Sequence, residues 1–168
     1  MNPGDPVDEC LIDGMGEVID RVTTIVDNPK LDPSVEQLDD FGEVWTPAGY
    51  IPVVSCGRSG RDESIGVEVT AGGEVDQLIQ AVATADNLEP EIRTISSTTY
   101  EGGTQETLCV TYPSDPFFRY CESRWGNGEV TVGAYVWGLR DTDELAEALA
   151  EGLRTELSTI IALVESAG

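Results

Sequence analysis

Three turn signals spaced along residues 91–138 leave this chain little choice but a β-meander over that stretch. Gly102-Gly103, Pro113-Ser114-Asp115-Pro116 and Asn127-Gly128 separate four segments rich in Thr, Val and aromatic residues: Ile92–Tyr100, Gln105–Tyr112, Phe117–Trp125 and Val130–Trp137. Such residues fit a pleated surface, and Asn-Gly suits a two-residue hairpin turn because both central positions need φ > 0. Pairing through Gly102-Gly103 sets Tyr100 opposite Gln105 and Ile95 opposite Val110. With side chains alternating between faces, Leu108, Val110, Phe118, Tyr120, Tyr135 and Trp137 share one face, expected to be the core side. The other face carries Thr98, Thr107, Thr111, Cys109 and Cys121, with an apolar strand of Val130, Val132, Ala134 and Val136. That mixture predicts partial cover by a helix or, as the alternative, an interaction surface.

Outside the meander the apolar period changes. Met15, Val18, Ile19, Val22, Ile25 and Val26 recur at helical spacing over about Asp13–Asp27, and Asn28-Pro29 ends the run. Ser34 and Gln37 make a capping-box pattern for a short helix to Asp40. Tyr50–Val54 reads as a strand entering Cys56, Gly57–Ser64 as a loop, and Ile65, Val67 and Val69 as a half-buried strand. Gly72-Gly73 turns into a helix carrying Val75, Leu78, Ile79 and Val82. A long helix from about Thr142 to Ser166 follows the meander, striped by Leu145, Leu149, Leu153, Leu157, Ile160, Ile161 and Val164; Asp141 and Glu144 suit its start.

A length of 168 residues suits one domain. The expected organisation is a linker or disordered arm over residues 1–9 and a single globular α+β domain over 10–168. Its fold is a four-strand antiparallel β-meander (about 91–138) plus one or two further strands. An N-terminal, a middle and a long C-terminal helix pack against it, and two disulfides brace it. No run of 18 apolar residues is present, so no segment is expected to insert in a membrane. Met1-Asn2-Pro3-Gly4-Asp5-Pro6 resembles the end of a linker, which predicts an export signal or anchor ahead of it in the natural protein.

The four cysteines, Cys10, Cys56, Cys109 and Cys121, lack Cys-x-x-Cys spacing, which favours disulfides over a zinc or dithiol redox site. Cys109 and Cys121 lie on opposite arms of one hairpin, leaving Cys10 to pair with Cys56. Loop closure in the unfolded chain makes these bonds worth about 3 and about 4 kcal/mol. Disulfides imply an extracytoplasmic protein, secreted or anchored at the outer face of the cytoplasmic membrane.

Charge and one missing residue type narrow the function. Thirty-two acids against nine bases give −23, and histidine is absent. The field opposes nucleic acid, whose phosphates are bound by Lys and Arg. Without histidine there is no Ser-His-Asp or Cys-His machinery and no imidazole metal ligand. Asp39-Asp40 and Asp141-x-Asp143-Glu144 lack EF-hand spacing, and no nucleotide-binding motif is present. No catalytic residue, metal site or cofactor is therefore assigned.

The candidate ligand-binding residues are Arg58, Ser59, Arg61 and Trp125. Arg58 and Arg61 fall within a glycine-punctuated loop of an acidic chain, where arginine forks can grip carboxylate or phosphate. Trp125, beside its tight turn, is the aromatic expected to be exposed while Tyr112, Tyr120, Tyr135 and Trp137 fill the core.

An acidic arm, Cys10 ahead of a helix, Cys56 after a strand, and a Cys109–Cys121 meander followed by a long helix are similar in outline to exported actinobacterial domains. They resemble lipoproteins of the mycobacterial cell envelope and extracellular sensor domains of receptor-type serine/threonine kinases. The resemblance implies a non-enzymatic binding or sensor domain of the envelope, with a protein, peptide or envelope glycan as ligand. A second reading is an acidic inhibitor or immunity-type protein that docks on a basic partner. The third is a small hydrolase using carboxylates alone.

Overall fold

The computed structural model describes residues 13–26, 37–46, 49–59, 64–71, 91–112, 115–138 and 142–167. They form an α+β architecture of α1 (Met15–Ile25), β1 (Gln37–Thr46), β2 (Gly49–Ser59), β3 (Ser64–Ala71), β4 (Glu91–Tyr100), β5 (Gly103–Tyr112), β6 (Asp115–Gly126), β7 (Val130–Gly138) and α2 (Asp143–Ala167). All strands join one antiparallel sheet in the order β1-β2-β3-β7-β6-β5-β4. The meander β4–β7 is as expected. Three further strands extend it rather than one or two, because β3 pairs with β7 and makes a second meander continuous with the first.

The short helix expected up to Asp40 is corrected. Gln37–Asp40 begin β1, which pairs with β2 along its whole length from Gln37↔Arg58 to Thr46↔Gly49. Long-range pairing over ten positions outweighs a local capping pattern. The loop expected over Gly57–Ser64 is also shorter, since β2 continues through Gly57 and Arg58 to Ser59. The middle helix around Val75–Val82, Cys10 and its expected bond to Cys56, and the arm 1–9 lie outside the described residues.

Local turn chemistry moves two registers. The β4–β5 turn is Glu101-Gly102, with Tyr100 paired to Gly103, and a bulge between Thr94 and Ser96 turns Ile95 onto the face its expected partner does not occupy. At the β6–β7 turn Asn127 precedes the central pair: its backbone N–H donates to the Val130 carbonyl, and its Oδ1 accepts from the N–H groups of Glu129 and Val130. Gly128 supplies the left-handed φ of +90°. Neither slip touches the β5–β6 ladder between them, where Cys109 faces Cys121 as expected.

The two described helices lie on the face that carries the cysteines, the reverse of the expected core side. Val18, Ile19 and Val22 of α1 and Leu145, Leu149, Leu153, Leu157 and Ile160 of α2 bury one cluster with Ile65, Val67, Val132, Ala134, Val136 and Trp125. The Cys109–Cys121 disulfide is buried within it. The polar residues on this face are accommodated because they satisfy one another. Gln105 Nε2 donates to Ser123 Oγ and to the Ala150 carbonyl of α2 (2.9 and 3.0 Å), and Thr107 and Ser123 share a hydrogen bond of 2.8 Å. Leu108, Val110, Tyr112 and Tyr120, with Trp137 against them, form a second buried cluster on the opposite face.

The helices contact each other too. Arg21 forks onto Glu156 through Nε (2.6 Å) and Nη2 (2.9 Å), and Gly152 stands against Val22. The start of α2 is capped by Thr142, whose Oγ1 accepts from the Leu145 N–H; Asp141, expected as the cap, lies outside the described residues. Among the described residues no helix is long and apolar enough to cross a membrane.

Candidate functional site

The most promising feature is a half-open groove of about 470 Å³ where the β4–β5 turn meets the C-terminal half of α2. Its size falls in the range that holds small ligands. Hairpin geometry creates one wall. The two-residue turn Glu101-Gly102 puts both residues at positive φ, +47° and +76°, which suits the right-handed twist of paired strands. Glutamate is an unusual occupant of that conformation, at a cost of about 1–2 kcal/mol, and here the residue lines the groove.

The opposite wall is helical. Leu157 and Ile161 are one turn apart and line the groove together. Arg154, three residues before Leu157, lines it as well, and Glu165 stands at its far end.

Trp125 lies between the walls. It is buried, at 3% exposure, which corrects the expectation of an exposed ring beside a turn. Gly103 explains the burial. A Cβ there would lie 2.6 Å from Trp125 Cε2, so the indole packs directly on glycine backbone. Its Nε1 donates to the Tyr100 carbonyl at 2.6 Å. Tyr100 in turn donates its hydroxyl to the Arg154 carbonyl at 3.2 Å, tying turn to helix.

Arg154 is held from below. Its Nη1 donates to Gln105 Oε1 at 3.1 Å, while both bonds from Gln105 Nε2 fix that amide's orientation. Among the described residues Arg154 has no carboxylate partner, whereas Arg21, Arg93 and Arg124 each have one. In a chain of 32 acids a guanidinium without a carboxylate is a distinctive group.

The other charged feature is a buried triad on the sheet face away from the helices. Arg124 on β6 bonds Glu122 on its own strand (2.9 Å) and Glu68 on β3 (3.1 Å), crossing β7 to do so. Gly133 makes the crossing possible, since a Cβ there would stand 3.3 Å from Arg124 Cγ and Nη1. One cation between two carboxylates leaves excess negative charge in the interior. Burial pushes the Glu122 carboxyl above the ordinary carboxylate range against the pull of Arg124, and Glu68 pushes the same way. Glu122 Oε1 is buried without a hydrogen bond. Burial opposes the charge of Arg124 as well, but its two carboxylates outweigh that and hold it protonated. The Tyr120 phenol is pushed up by burial first and by the Glu122 charge second. The triad braces three strands.

Of the residues singled out from sequence, Trp125 lines the groove among the described residues. Arg58 and Ser59 end β2, three strands from β6, and Arg58 shares a cross-strand row with Cys121 rather than Trp125. Strand spacing and rise put Arg58 about 20 Å from Trp125, so they do not form one site; Arg61 lies outside the described residues. Sequence reading missed Tyr100, Glu101 and Arg154. The signal for Arg154 was present, as it is the single base of α2. Among the described residues no group of His, Cys, Asp or Glu could hold a metal ion. Compared with known proteins, the chain matches no family model and no curated protein.

Proposed function

We propose that this chain is an exported, non-enzymatic binding or sensor domain of a bacterial cell-envelope protein, with the groove beside Trp125 as its ligand seat. The observation that carries the reading is Arg154, a guanidinium held in place by Gln105 at a groove and given no carboxylate partner among the described residues. Protein segments, peptides and envelope glycan fragments are the ligand classes it addresses. The compartment rests on the disulfide in the core, a bond at home outside the reducing cytosol. A thermal-shift and tryptophan-fluorescence screen with short peptides and glycan fragments tests the reading. A true ligand raises the melting temperature of the wild type and has no effect on Ser158→Trp, which fills the groove from an exposed helical position. A screen without any shift, or equal shifts in both proteins, refutes it.

A second reading, an acidic inhibitor of a basic partner, is favoured by the outer face of α2, where Asp143, Glu144, Glu147 and Glu151 are all exposed. It predicts capture of a basic nuclease or toxin that is lost at roughly 0.5 M salt, where screening shortens to a few ångströms.

A further inference from the structure

We infer that the groove recognises a small zwitterion with an apolar body, of the kind represented by a free α-amino acid with an aromatic or branched side chain. The inference rests on the groove being the ligand seat and adds the chemistry of what it takes.

The lining combines three things. Half-buried Ile161, above the buried Trp125 and Leu157, provides the apolar floor; Arg154 provides a guanidinium, and the exposed Glu101 and Glu165 provide carboxylates. Among the described residues neither glutamate is engaged in a hydrogen bond or ion pair, and the Arg154 guanidinium gives one bond, to Gln105. A guanidinium has five N–H donors in a rigid fork, so most of its capacity is open. An ion brought into a partly buried site must be paired to offset its lost hydration. A simple anion would be matched by Arg154 but would face two carboxylates. A simple cation would be matched by the glutamates but would face the guanidinium. A molecule carrying both charges on one carbon pairs with Arg154 and with Glu101 across the groove, and its side chain covers the apolar floor towards Glu165. The net −23 of the protein weighs against the anion, not against a neutral zwitterion.

The cationic wall is fixed before a ligand arrives. Gln105 is oriented by Ser123 and Ala150 and so aims Arg154. The turn sets the Glu101 backbone, while its exposed side chain is left to settle on the ligand. A preorganised guanidinium of this kind loses little entropy on binding.

Isothermal titration of the full chain with three compounds sharing one body separates the cases: L-phenylalanine, phenethylamine (no carboxylate) and 3-phenylpropanoate (no ammonium). L-Phenylalanine is expected to bind at least tenfold more tightly than either analogue. Arg154→Gln is expected to weaken L-phenylalanine at least tenfold and to tighten phenethylamine, which no longer faces the guanidinium; a merely structural role would weaken both. Glu101→Gln should produce the mirror result with 3-phenylpropanoate, and far-UV circular dichroism confirms that each variant folds. Phenethylamine or 3-phenylpropanoate binding as tightly as L-phenylalanine overturns the zwitterion assignment while leaving the groove as a binding site. Binding by none of the three also overturns it, and the peptide and glycan screen then decides separately whether the groove is a ligand seat.

Discussion

Gly103→Ala tests the packing on which the groove depends. A methyl group at this position would stand 2.6 Å from the Gly126 carbonyl oxygen, 2.6 Å from Trp125 Cε2 and 2.7 Å from Trp125 Nε1. Each distance is well inside van der Waals contact, so the indole and the β5–β6 backbone must both move. Overpacking of this kind costs about 1–3 kcal/mol. Displacing the indole also breaks its 2.6 Å hydrogen bond to the Tyr100 carbonyl, worth about 1 kcal/mol. The sum is about 2–4 kcal/mol, which for a domain of this size lowers the melting temperature by roughly 5–15 °C. Gly102→Ala supplies the internal reference. Its φ is +76° and nothing lies within 4 Å of the added Cβ, so it incurs only the left-handed strain of about 1–2 kcal/mol. Urea denaturation followed by far-UV circular dichroism and tryptophan fluorescence measures both. The reasoning is refuted if Gly103→Ala is no more destabilising than Gly102→Ala, or if the Trp125 emission is unchanged in the folded variant.

Replacing Cys109 and Cys121 together by Ala removes a bond that closes a separation of 12 residues, and urea midpoints should report a loss of about 3 kcal/mol; less than about 1 kcal/mol would count against the loop-closure account. Glu122→Gln should flatten the pH dependence of stability. The folded state raises the Glu122 pKa, so it binds that proton more tightly than the unfolded chain does. The wild type is therefore relieved of the cost below the unfolded carboxylate pKa and loses stability as pH rises from there through the folded value. The amide does not ionise, so the stability of the variant relative to wild type should climb as pH is raised over that window, read from urea midpoints at pH 4 to 8. A difference that stays constant with pH would rule out a raised pKa at this position.

The meander was legible because each turn is written in local chemistry: glycine where φ is positive, Asn127 where an amide can cap the turn. Cross-strand opposition of Cys109 and Cys121 followed from the same signals and is observed. The helical stripes of Met15–Val22 and Leu145–Ile160 were equally plain, since a 3.6-residue period is an intrinsic property of a segment. The β1 strand was not legible, because pairing with β2 supplies its stability and no local pattern encodes a partner. Helix cover was expected on the cysteine face and is observed there, but its extent was not legible. Thr107 was placed on that face and Gln105 and Ser123 were not placed at all, yet all three lie beneath α2 because each finds a partner there. Hydrophobic patterning alone assigns such residues to water; only their mutual hydrogen bonds reverse the assignment. The groove was hidden for the same reason: Arg154 and Trp125 are 29 positions apart in number and meet only once that face is covered.

That buried network links the register of α2 to the site. Gln105 bonds a carbonyl in the middle of α2 and, through its other amide atom, the guanidinium one turn further along. Sliding the helix by one residue would break both bonds, so the amide sets where Arg154 stands along the sheet. Gln105→Met separates positioning from stability. Ser123 keeps its bond to Thr107, the Ala150 carbonyl keeps the donor of its own helix, and Met fills a similar volume, so the stability change should stay within about 1 kcal/mol. Arg154, however, loses its described side-chain partner. Side-chain ¹⁵N relaxation at Arg154 Nε should then show a clear drop in order parameter, with a melting temperature shifted by roughly 2–4 °C at most. An equally ordered Arg154 in the variant would mean that something other than Gln105 holds the guanidinium, and the argument for a preset cationic wall would fail with it.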